Sequence, residues 1–96
     1  MNNRLSSVII LNGVTMIDSG AFMGNQLINI TIPDSVTDIW DGAFANNRLT
    51  SITIGADVEL FPGAFGYGFE ESYISGGRLA GTYARQSIDS TVWIRQ

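Results

Sequence analysis

The sequence predicts a mainly β repeat solenoid of three coils of about 22 residues, with parallel short strands and a C-terminal helical turn plus β-hairpin as its cap. Three observations predict it. Gly-Ala-Phe occurs at 20–22, 42–44 and 63–65. Asn-x-Leu occurs at Asn3/Leu5, Asn25/Leu27 and Asn47/Leu49. After Gly68 both series stop, and the chain takes on a different pattern. The expected organisation is therefore repeats over 1–68 (3–24, 25–46 and 47–68) and a capping segment over 69–96.

Within each period the apolar residues recur in order. Leu27, Ile30 and Ile32 form L-x-x-I-x-I, matched by Leu49, Ile52 and Ile54 and by Leu5, Val8 and Ile10. The alternation and the β-branched residues predict a half-buried strand. A second short apolar pair follows: Val14/Ile17, Val36/Ile39, and Val58 with Leu60 or Phe61. Phe22, Phe44 and Phe65 then fill the repeat. The third period has lost one residue between Val58 and Gly63. The first two share nine of 22 positions. One repeat cannot bury its own apolar face, so neighbours must stack at strand spacing, about 4.8 Å. Asn3, Asn25 and Asn47 then stack as well, where a side-chain amide bonds the adjacent backbone turn.

The last segment predicts a different structure. Phe69 and Tyr73 are four apart, with Glu70 and Glu71 early and Gly76-Gly77 after, which reads as one or two helical turns. Arg78–Arg85 and Thr91–Arg95 read as two strands joined by the polar turn Gln86–Ser90. An antiparallel hairpin there covers strand edges and apolar ladders that a last repeat would otherwise expose. Tyr83 and Trp93 belong to the core of this cap.

Composition excludes several function classes. The chain has 96 residues, 45 % hydrophobic and 15 % charged, with no Cys, no His and no Lys. A net charge of −4 argues against a nucleic-acid partner. Its longest apolar run, Val8-Ile9-Ile10-Leu11, is far too short for membrane insertion. The N-terminus carries no export signal of basic region, apolar run and small-residue cleavage site. No cofactor is expected: Gly66-Tyr67-Gly68 and Gly76-Gly77 lack the strand, helix and basic residue of a phosphate loop. Catalysis would rest on carboxylates alone, Asp38 with Asp41 or Glu70 with Glu71, and a solvated bend and a helix start explain both pairs. Asp34, Asp38 and Asp41 lack the ligand spacing of a calcium loop.

Binding positions come instead from the strand residues that point outward: Ser7 and Ile9, Asn29 and Thr31, Ser51 and Thr53. They form adjacent rungs on one face. That face reads either as a contact surface for a protein partner or as a solvated sheet. Trp40 follows Ile39, and two placements are open: an interface anchor on an exposed turn, or a ring packed on Phe61 of the next repeat, which is favoured. The candidate partner-binding residues are thus Asn29, Thr31, Trp40, Ser51 and Thr53. An uncovered first repeat, with Val8, Ile10, Val14, Ile17 and Phe22, predicts self-association through strand edges.

The pattern L-x-x-I-x-I-P-x-x-V-x-x-I-x-x-x-A-F, clearest at 27–44, resembles the BspA-like class of bacterial leucine-rich repeats. The tail residues Gly77, Arg78, Ala80, Gly81, Thr82, Tyr83 and Trp93 are similar to that family's closing segment. The resemblance implies a right-handed leucine-rich-repeat solenoid in a surface or secreted protein of host-associated bacteria. It implies adhesion to a host matrix protein or a bacterial surface protein, not enzymatic activity. A purely structural reading stands beside it, in which the segment is a spacer or terminal cap of a longer array.

Overall fold

The computed structural model describes residues 6–66, 68–88 and 90–96. The chain is mainly strand with one short helix. Three two-residue strands, β1 (Met16–Ile17), β3 (Asp38–Ile39) and β5 (Glu59–Leu60), form one parallel sheet in that order. A second sheet takes the order β2 (Asn29–Thr31), β4 (Ser51–Ile54), β6 (Gly81–Ala84), β7 (Ile94–Arg95). The helix, α1 (Phe69–Ser75), stands between β5 and β6.

Register follows the sequence period. β2 and β4 are parallel, with Asn29, Ile30 and Thr31 opposite Ser51, Ile52 and Thr53. In the other sheet Met16 and Ile17 face Asp38 and Ile39, which face Glu59 and Leu60. Leu60 is thus the counterpart of Ile39, and the missing residue of the third period falls before Glu59. Between the sheets, the Gly-Ala-Phe segments form a third ladder: Phe22 N–H donates to Ala43 O at 2.7 Å, and Phe44 N–H to Ala64 O at 2.7 Å. Backbone bonds therefore join successive repeats on three sides.

Two sequence expectations change. The second member of each following apolar pair, Ile17, Ile39 and Leu60, lies in a sheet strand of its own, while Val14, Val36 and Val58 precede those strands. And residues 7–10, whose alternation matches β2 and β4, are not a strand, although Val8 and Ile10 pack against the core. Alternation decides which side chains turn inward; a strand also needs a paired backbone, and β2 pairs only with β4 among the described residues. Leu5 and Asn3 lie outside the described residues.

The core is drawn mainly from the second and third repeats, while Val8, Ile10, Val14 and Phe22 of the first are only partly buried against it. Leu27, Ile30, Ile32, Val36, Ile39 and Phe44 from the second repeat stack on Leu49, Ile52, Ile54, Val58, Leu60 and Phe65 from the third. The phenylalanines form a column: Phe22 and Phe44 are stacked with centroids 5.3 Å apart, Phe44 and Phe65 at 5.0 Å. Asn47 threads the bend beside it. Its Nδ2 donates to Phe22 O and to Phe44 O, both at 2.9 Å, and its Oδ1 accepts Leu27 N–H at 3.0 Å. Asn25 donates to Phe22 O at 3.0 Å.

The segment after Gly68 continues this column by a different route. Phe69, fully buried on α1, meets Phe65 edge-on at 4.8 Å and touches Tyr73, Tyr83 and Trp93. Gly68 starts the helix at φ 92°, and a Cβ there would collide with the Thr91 carbonyl. Only glycine satisfies both the turn and that close approach. The Tyr73 hydroxyl donates to Gly55 O at 2.6 Å and accepts Val58 N–H at 3.0 Å. A ring thereby satisfies backbone groups that another repeat would otherwise engage. The expected hairpin is present with short strands: β6 pairs antiparallel with β7 and, on its other side, with β4. Residue 89 of its connecting turn lies outside the described residues, as does Tyr67.

Candidate protein-contact face

Outward positions of the larger sheet form two rows. Asn29 and Ser51 stand side by side, followed by Ala84 of β6 and Ile94 of β7. Thr31 and Thr53 are followed by Thr82. Each strand turns alternate residues to opposite faces, so the inward partners of these rows are Ile30, Ile52 and Tyr83, all buried. Asn29 and Thr31 are exposed; Ser51 and Thr53, with strands on both sides, are half-buried. Thr53 and Thr82 share a hydroxyl–hydroxyl hydrogen bond of 2.9 Å. The face carries no ionised group among these positions, so contact there depends on hydroxyls, amides and shape.

Four of the five sequence-predicted residues, Asn29, Thr31, Ser51 and Thr53, are thus brought together. Trp40 is not with them, because it follows β3 in the other sheet. Its indole stacks on Phe61, with centroids 4.3 Å apart and planes 12° from parallel. The packing placement holds. Ser7 and Ile9 sit near Asn29 and Thr31 around one shallow depression, without the strand that would make them a regular rung. Sequence reasoning missed Thr82, Ala84 and Ile94. Their place in the rows depends on β6 pairing antiparallel with β4, and no local pattern specifies that partner.

The carboxylates have structural surroundings. Asp41 accepts from Ser19 Oγ at 2.7 Å, one repeat away. Asp38 accepts from Thr37 Oγ1 at 3.3 Å. Glu71 accepts Gly68 N–H at 3.2 Å at the helix start, and Glu70 accepts Phe65 N–H at 3.2 Å. Burial pushes the Glu70 carboxyl above its ordinary value, and the neighbouring Glu71 charge adds to this against two backbone hydrogen bonds. Among the described residues no group of three or more His, Cys, Asp or Glu converges on a metal position. Among them, too, no helix is long and apolar enough to cross a membrane.

A chain of short parallel strands, stacked Leu/Ile/Phe columns and an asparagine at the bends after Phe22 and Phe44 is a repeat protein of the leucine-rich kind. The family described as "BspA type Leucine rich repeat region (6 copies)" matches residues 1–74, and the chain belongs to it. Neither the search of curated proteins nor the search of solved structures gives a match. Membership makes the chain a repeat module of a class whose general work is protein–protein interaction rather than catalysis.

Proposed function

We propose that the chain is a non-enzymatic recognition module of a bacterial surface or secreted protein, and that it binds a protein through the exposed face of its larger sheet. In this reading residues 1–68 are three coils of a right-handed solenoid and residues 69–96 are its cap. The hand follows from the strong preference of parallel crossovers for the right-handed sense. The observation that carries the binding proposal is the uncharged double row of Asn29–Ser51 and Thr31–Thr53, extended by Thr82. A flat row of hydroxyl and amide groups suits a host matrix protein or a bacterial surface protein. Trp40 contributes by holding the outer turn.

The test is binding of the whole chain to a panel of purified matrix proteins and to bacterial cells. The native chain binds, Thr31→Arg with Thr53→Arg removes binding, and Ile74→Ser on the exposed side of α1 leaves it unchanged. Binding unaffected by the paired threonine change sinks the proposal.

A second reading is favoured by the cap. Tyr73 and β6 engage the backbone of the third repeat, as a terminal cap of a longer array would. Failure of the native chain to bind any of the panel supports that spacer-and-cap role. Self-association belongs with it: Ile9, Leu11 and Met16 are exposed around Ile17 and Phe22 on the first repeat. Light scattering across a concentration range tests this, and a sharp monomer throughout rejects it.

A further inference from the structure

We propose that Asn12–Gly13 is a site of spontaneous deamidation whose rate is governed by Ser35 of the neighbouring repeat. The two residues form the centre of a tight turn closed by Val14 N–H donating to Leu11 O at 3.2 Å. Both are exposed, and Gly13 has φ 107°. A Cβ built on Gly13 would meet nothing within 4 Å, so the space around this backbone is open. The equivalent turns carry Asp34-Ser35 and Ala56-Asp57, so among these three turns the amide–glycine pair is particular to the first repeat.

The chemistry needs only water. Gly13 N attacks Asn12 Cγ, the Cγ–Nδ2 bond breaks, and ammonia leaves with the proton that Gly13 N gives up. The resulting succinimide takes up one water at either carbonyl and opens to an aspartyl or an isoaspartyl residue. Either product adds a negative charge at a chain already at −4, and the isoaspartyl form adds a carbon to the backbone of the turn.

Ser35 opposes that step. Gly13 N–H donates to Ser35 Oγ at 2.9 Å, and Ser35 Oγ donates to Val14 O at 2.7 Å. The hydroxyl thus occupies the proton that must be lost and ties down the turn that must rotate. Attack requires breaking this bridge, which links two repeats. Asp41-Gly42 offers the same ring closure through a carboxylate, a poorer electrophile that reacts more slowly.

The test is incubation of the whole chain at mildly alkaline pH in oxygen-18 water, read by intact mass and peptide mapping. The native chain gains one dalton of deamidation plus the heavy-oxygen label at Asn12, slowly. Ser35→Ala accelerates this several-fold, Ser35→Thr restores the native rate, and the urea-unfolded native chain reacts fastest. Asn12→Gln, a change at an exposed turn, abolishes the rapid gain. Equal rates in native and Ser35→Ala chains overturn the proposal, as does a gain that maps elsewhere or persists in Asn12→Gln.

Discussion

Trp40 lies flat on Phe61, one repeat along, at 4.3 Å between ring centroids. The pairing of β3 with β5 sets this, since Phe61 N–H donates to Ile39 O at 3.0 Å and places the two rings at the same point of successive repeats. The indole N–H is buried without a hydrogen-bond partner among the described residues, so the ring's contribution is its packing. Trp40→Ala is expected to cost about 2 kcal/mol, below the core range because the ring is only half-buried. Phe61→Ala is expected to act similarly, and the double variant to fall short of additivity by about 1 kcal/mol. Urea denaturation of the four chains measures this; strict additivity would mean the stack carries no coupling energy.

Tyr73→Phe isolates one hydroxyl. The change leaves Gly55 O and Val58 N–H without their partner in a buried setting, at a cost of about 1–3 kcal/mol. Burial raises the Tyr73 hydroxyl above its ordinary value of 10.0, and burial raises Tyr83 as well. A folded-state value above the unfolded one gives stability that is full below the unfolded value and lost as pH rises through the folded one. Native stability should therefore fall above pH 10.0, and fall less steeply in Tyr73→Phe. Equal alkaline slopes would show that Tyr73 does not share in the titration.

Asn47→Asp tests the bend between repeats. The native amide donates to two carbonyls and accepts one N–H. A carboxylate keeps the accepting bond but turns an oxygen on Phe22 O and Phe44 O, so it is expected to destabilise by about 2–3 kcal/mol. Thermal melting reads the loss; an unchanged melting temperature would remove the asparagine from the account of stacking.

Glu70 predicts the opposite of ordinary acid behaviour. Its carboxyl is held above 4.5 mainly by burial, and one of its oxygens is buried without a hydrogen-bond partner among the described residues. Its stabilising contribution is thus full below 4.5 and lost as pH rises through the folded value. The difference in urea midpoint between the native chain and Glu70→Gln should narrow as pH falls toward 4.5. A difference that stays constant with pH would place Glu70 in full solvent.

Much of the fold was legible because each repeat states the same solution. Leu27, Ile30, Ile32 and Phe44 recur one period on, and a recurring apolar residue has to be buried against its own counterpart. The four polar face residues followed from strand alternation. Less visible were the two-residue strands, since a pair such as Met16–Ile17 is too short to show a period. The Tyr73 hydroxyl bridge was also hidden, because it joins residues 15 and 18 apart that share no motif. Arg85 shows the same limit: its Nε donates to Leu49 O at 2.7 Å and its guanidinium lies 4.7 Å from the Trp93 ring centre, contacts created only when β6 reverses direction.

That reversal bears on how the molecule behaves as a polymer. Strands that all run one way make a polar array, whose end displays the template for another identical rung. β6 runs backward against β4. The outermost rung is β7, which runs antiparallel to β6 and so returns to the sense of β4, but it is only two residues long. A forward-running chain arriving at that end thus finds few backbone groups to pair with, the short edge being one of the devices by which sheets discourage edge-to-edge pairing.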